Sequence, residues 1–183
     1  MSKRFPIYDV EPAVYFGDEF RGAKAVVNER IPVRATVTRE GHDALGVQVV
    51  LTDPKGREVS RSLMREIWPG LDRYEGFVRP TAIGNWNFHI EAFDDPFHTW
   101  EHDCGIKIRA GIDEELCCKM GIDVFFFAID SNQSTLESKE RKELEKAVKI
   151  LGDTKMSAIA RFEAATTDEI KSIFYKNPTR RYI

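Results

Sequence analysis

The spacing of apolar residues changes near residue 111, and that change limits the possible fold more than any single motif does. Up to residue 110 apolar side chains alternate with polar ones. Val33, Ala35 and Val37 alternate with Arg34, Thr36 and Thr38 over Ile31–Thr38, and Val47, Val49 and Leu51 share one face of Gly46–Thr52. Val14–Phe16, Ala25–Val27, Arg73–Arg79, Asn85–Phe93 and Phe97–Ile108 complete the set; Trp86, Phe88, Ile90 and Ala92 lie on one side of their segment. Such alternation marks half-buried strands, and turn signals such as Asp53-Pro54-Lys55-Gly56 separate them. Six or seven short strands with no helical segment between them predict an antiparallel β-sandwich over residues 1–110 and argue against a parallel α/β sheet.

After Gly111 the period becomes helical, and residues 111–183 predict three or four short helices. Asp113 to about Asp130 carries Leu116, Met120, Val124 and Phe127 at helical spacing. Ser134-Thr135-Leu136-Glu137 is a capping-box sequence ahead of a charged helix with Leu144, Ala147, Val148 and Leu151 inward. Gly152 and Asp153 break the chain before a short helix with Met156, Ile159 and Phe162. A second box at Thr166–Glu169 opens a helix with Ile170, Ile173 and Phe174 that stops before Asn177-Pro178. The fold class is mainly β plus α, a sandwich followed by a small helical bundle.

Phe125, Phe126 and Phe127 are consecutive. On a helix they cover roughly 200° of its circumference, more than one core-facing stripe requires. Either the helix is enclosed on most sides, or part of this aromatic surface meets another protein surface.

Composition narrows the function classes. The chain has 183 residues, 27 Lys plus Arg against 30 Asp plus Glu, and a net charge of -3. Residues 1–110 hold 15 basic and 17 acidic side chains and residues 111–183 hold 12 and 13, so neither part has a basic surplus for nucleic acid. The longest apolar run, Val124 to Ile129, is far short of the roughly 20 residues that cross a bilayer. The start, MSKRFPIYDV, has no signal-peptide pattern. Cys104, Cys117 and Cys118 form no disulfide framework. The expectation is a soluble, cytoplasmic chain with neither nucleic-acid nor membrane partners. A (β/α)8 barrel of roughly 250 residues does not fit this length.

No complete set of catalytic side chains emerges. Arg39-Glu40-Gly41-His42-Asp43 reads as a tight loop, because a His–Asp pair there lacks a nucleophile. Asp94 and Asp95 are adjacent, so their carboxylates diverge and cannot straddle a glycosidic bond. Read as a strand, His98 and His102 stand about 13 Å apart, too far to share a metal ion. Cys117-Cys118 is neither a redox nor a ligand spacing. There is no phosphate loop, so no cofactor, metal or catalytic residue is assigned.

The runs Ala23-Lys24-Ala25-Val26-Val27-Asn28-Glu29 and Pro32–Ala44, which includes Arg39-Glu40-Gly41-His42-Asp43, resemble a bacterial enzyme family. Gly84-Asn85-Trp86-Asn87-Phe88 and Asp95–Asp103, with Thr99-Trp100-Glu101-His102, continue the likeness, as does Ile106–Asp113. The order and spacing are similar to the N-terminal region of alpha-1,4-glucan:maltose-1-phosphate maltosyltransferases, of the alpha-amylase superfamily. That resemblance implies an immunoglobulin-like domain with a helical insertion, which together build a homodimer interface. It also implies a separate (β/α)8 barrel in which an Asp nucleophile and a Glu acid/base transfer maltosyl units from maltose 1-phosphate to α-glucan with retention. No residue here matches the motifs that hold those groups. In the family a further strand follows the helices; here the sequence ends at Pro178-Thr179-Arg180-Arg181-Tyr182-Ile183, which implies an open sheet edge.

The primary expectation is therefore a non-catalytic scaffold and dimerisation region, with Phe125, Phe126 and Phe127 as interface residues and the barrel as its missing partner. The alternative is a free-standing immunoglobulin-like carbohydrate-binding module. Trp86 and Trp100 have core contexts, which leaves Trp68, beside Pro69-Gly70, to stack on sugars. A small stand-alone enzyme ranks last.

Overall fold

The computed structural model describes residues 5–183. Among the described residues there are nine strands and five helices. The strands are β1 (Ile7–Glu11), β2 (Val14–Phe16), β3 (Glu19–Arg21), β4 (Ile31–Val37), β5 (Leu45–Thr52), β6 (Glu58–Leu63), β7 (Arg65–Trp68), β8 (Arg73–Val78) and β9 (Asn87–Asp94). The helices are α1 (Pro96–Arg109), α2 (Glu114–Ser131), α3 (Ser138–Leu151), α4 (Ala158–Ala165) and α5 (Asp168–Lys176). By their contacts they form two compact units, one running through Phe93 and taking in Tyr182 and Ile183, the other spanning Asp94–Arg181.

In the first unit the alternating segments do form strands. β1-β4-β8-β7 make one sheet and β6-β5-β9 another. β4 pairs antiparallel with β8, setting Val33 opposite Gly76 and Ala35 opposite Tyr74. Val33, Ala35, Val37 and Val78 from the first sheet meet Val47, Val49, Leu51 and Ala92 from the second in one buried cluster. This is an antiparallel sandwich, in which each period-two stripe supplies half of the core. β2 and β3 form a separate hairpin.

Two expected strands are absent. Ala25–Val27 is an exposed loop. Its turn is closed by Glu29 N–H donating to the Val26 carbonyl at 3.0 Å and by Val26 N–H donating to Glu29 Oε2 at 2.8 Å, with Asn28 in the left-handed region. Local turn chemistry here overrides the β preference of two valines. The second correction is larger: the expected strand Phe97–Ile108 is helix α1. Asp95 caps it by accepting from His98 N–H at 3.1 Å, and Pro96 occupies the first turn. Phe97, Trp100, Cys104 and Ile108, all buried, stand at helical intervals.

The second unit is therefore five helices around an aromatic core. Phe97 stacks on Phe174 with centroids 3.8 Å apart, and Phe125 meets Trp100 and Phe174 edge-on at 5.9 and 5.1 Å. Helix starts differ slightly from expectation. α3 is capped by Glu137 rather than Ser134: the Glu137 N–H donates to Glu140 Oε2 at 2.9 Å, while Ser134 and Thr135 belong to a turn on the Asn132 carbonyl. α5 is capped by Thr167 rather than Thr166. No helix among the described residues is long and apolar enough to cross a membrane.

Candidate functional site

The outward face of α2 is the principal apolar feature of the helical unit. Cys117, Cys118, Gly121, Phe125, Ala128 and Ile129 occupy its inner side. At 3.6 residues per turn, Leu116, Met120 and Phe127 fall within about 40° of one another on the other side, and all three are exposed. Ile112 extends the stripe beyond the helix N-terminus and Phe126 flanks it. Asp123 interrupts it with a charge.

The three phenylalanines part company. Phe125 is 0% exposed and belongs to the aromatic core, so it has no surface to offer a partner. Phe126 is 55% and Phe127 42% exposed. The Arg181 guanidinium lies 5.9 Å above the Phe127 ring, within cation–π range.

α2 is held by polar contacts that periodicity does not reveal. Arg161 of α4, only 2% exposed, reaches the Glu115 carboxylate and donates to the Leu151 carbonyl at 3.1 Å. The hydrogen bond from Arg161 to Glu115, then the guanidinium charge, holds the Glu115 carboxyl below its usual range. One buried cation thus ties the start of α2 to the end of α3. On the α1 side, burial, followed by a hydrogen bond with Cys117, pushes the Cys104 thiol up to about 12. Such a thiol is a packing group and not a nucleophile.

The other candidates are scattered. Trp68 ends β7 with 55% of its surface exposed, whereas Trp86 is half-buried against the sandwich core and Trp100 lies in the helical core. In the 39–43 loop Arg39 bonds Asp43 and the Ala44 carbonyl, each at 3.0 Å, and Gly41 takes a positive φ, as a tight loop requires. Because α1 is a helix, His98 and His102 sit one turn apart, correcting the strand spacing. Each imidazole Nδ1 is engaged locally, His98 by Asp95 at 2.6 Å and His102 by Asp103 at 2.9 Å. Among the described residues no three His, Cys, Asp or Glu side chains gather to hold a metal ion.

The fold and this surface define a class: a β-sandwich joined in sequence to a five-helix cluster that carries an uncovered apolar helix face. Residues 3–183 match the family described as alpha-1,4-glucan:maltose-1-phosphate maltosyltransferase, domain N/S, and the chain belongs to that family. It is 40% identical over 177 residues to alpha-1,4-glucan:maltose-1-phosphate maltosyltransferase 1 of Streptomyces coelicolor, covering 97% of this chain and 26% of that protein. The maltosyltransferase of Arcanobacterium haemolyticum is 32% identical over 180 residues, covering 98% of this chain and 26% of its own length. That of Bifidobacterium longum is 27% identical over 197 residues, covering 97% and 26%. The chain thus spans about a quarter of the length of the curated relatives it matches.

Proposed function

We propose that this chain is the scaffold and self-association region of a maltosyltransferase that passes maltosyl units from maltose 1-phosphate to α-1,4-glucan with retention, in α-glucan biosynthesis. The bond-making residues belong to a (β/α)8 barrel outside these 183 residues. Family membership supports the reaction, since the relatives are named for that transfer.

The observation that carries the self-association is the Leu116–Met120–Phe127 stripe on α2. A second copy of the chain is the fitting occupant. Two such helices crossing about a two-fold axis place each stripe on its own equivalent, which makes the contact closed and self-complementary. The compartment consistent with three free cysteines is the reducing cytoplasm. Static light scattering tests the assembly: a dimer is expected, and a strict monomer at high concentration overturns it. The alternative, a carbohydrate-binding module, draws its support from the exposure of Trp68.

A further inference from the structure

The outer face of the β1-β4-β8-β7 sheet carries an open cleft of about 550 Å³, a size within the roughly 300–1,000 Å³ of small-molecule sites. Two devices shape it. On one side β1 slips register between Tyr8 and Glu11, with Asp9 in the left-handed region. This bulge turns the Asp9 carbonyl onto Arg73, which donates to it at 2.6 Å. On the other side Trp68-Pro69-Gly70-Leu71 is a type II turn. Leu71 N–H donates to the Trp68 carbonyl at 3.0 Å, and Gly70 has φ +82°, the conformation its position demands. The turn fixes Trp68 and Leu71, both exposed, at the rim.

Between these walls the charges pair off. Trp68 stands opposite Arg73 in the β7–β8 register. Arg73 also donates to Thr36 Oγ1 at 3.2 Å and lies 3.1 Å from Glu11 Oε2. Arg34 donates to Glu75 at 2.7 Å and approaches Glu11 at 3.9 Å. The side chains of Arg34 and Glu11 remain 41% and 57% exposed, so a donor and an acceptor face solvent together. Two guanidinium groups, Arg34 and Arg73, stand among three carboxylates, Asp9 and Glu11 in the cleft and Glu75 on Arg34. Such a field has no preference for an anion, which disfavours a phosphate ligand. An exposed indole face beside paired donors and acceptors suits a neutral ligand with one apolar face and a rim of hydroxyls.

From this geometry we infer that the cleft binds an α-linked glucan chain, one pyranose ring lying on Trp68 with its hydroxyls directed at Glu11 and Arg34. The choice of α-linked glucan rests on the maltosyltransferase reading; the choice of a neutral saccharide rests on the cleft alone. Such a site would hold the growing polymer on the scaffold while the chemistry proceeds elsewhere.

Calorimetry of the 183-residue chain with maltoheptaose, cellohexaose and inorganic phosphate tests this. The expected result is saturable binding of maltoheptaose alone, weakened about tenfold or more by W68A and only a few-fold by W68F. L71S, on the turn that carries the indole, should weaken it as well. Near-UV circular dichroism of each variant reports whether the sandwich is intact. Absence of maltoheptaose binding, indifference of binding to W68A in a folded variant, or competition by phosphate overturns the site. Equal binding of cellohexaose overturns the α-glucan assignment. Light scattering of the same samples separates the two readings: a dimer without glucan binding sinks only the cleft, and a glucan-binding monomer sinks only the self-association.

Discussion

The indole nitrogen of Trp100 donates to the carbonyl oxygen of Cys117 at 2.8 Å, fixing the largest side chain of α1 to the backbone of α2. One turn further along α2, Gly121 leaves room for the same ring: a Cβ there would lie 2.5 Å from Trp100 Cζ2 and 3.1 Å from Leu151 Cδ1. The variant G121A is therefore expected to destabilise the helical unit by about 1–3 kcal/mol, overpacking outweighing the better helix propensity of alanine. Thermal unfolding followed by circular dichroism measures it, and an unchanged midpoint would refute the close approach.

His98 gives the fold a pH dependence with a definite sign. Its hydrogen bond to Asp95 raises the imidazole above its ordinary 6.5, assisted by the charges of Asp95 and Glu101 and opposed by burial and by Lys171. A raised folded-state value means the protonated form is favoured by folding. The contribution is fully present below 6.5 and disappears as pH rises through the raised value. A proton NMR titration should place His98 above 6.5 in the native chain and nearer to it in D95A, which also loses the helix cap, at about 1 kcal/mol.

All three cysteines are buried, and burial raises the Cys104 and Cys118 thiols. Ellman's reagent should react slowly with the native chain and promptly with three thiols once the chain is unfolded in guanidinium. Rapid native reaction would show that the α1–α2 contact opens readily.

Leu116 and Met120 touch solvent, so replacing both with serine should change stability by no more than about 0.5 kcal/mol each. The same double variant is expected to shift the chain from dimer to monomer in light scattering. A dimer that survives it would assign self-association to another surface.

β4 was legible because its buried residues alternate with less buried ones, and β9 opens in the same way; β5 is buried on both faces from Gly46 to Leu51, yet Val47, Val49 and Leu51 still mark its core side at period two. Helix α1 was legible too, but by a different signal from the one that dominated. Cys104, Ile106 and Ile108 imitate a strand, while Asp95 before Pro96 and the 97-100-104-108 spacing mark a capped helix. β6 and β7 lack such a stripe because most of their residues are exposed. The cleft at Trp68 could not be read at all. It depends on β1, β4, β7 and β8 lying side by side with a bulge at Asp9, and pairing among segments up to 64 residues apart leaves no local trace. Exposure of Trp68 was readable from its Pro-Gly neighbours; its companions were not.

The run Phe125-Phe126-Phe127 makes the seating of α2 ambiguous in principle. Neighbouring side chains on a helix are rotated by only about 100°, so a small twist with a slide would present Phe126 to the socket that Phe125 fills. The notch at Gly121 beneath the Trp100 ring acts as a key against that error, because only one rotational setting brings the bare backbone under the indole. Fidelity of the aromatic interior thus depends on a residue with no side chain, placed four positions before the phenylalanine it selects.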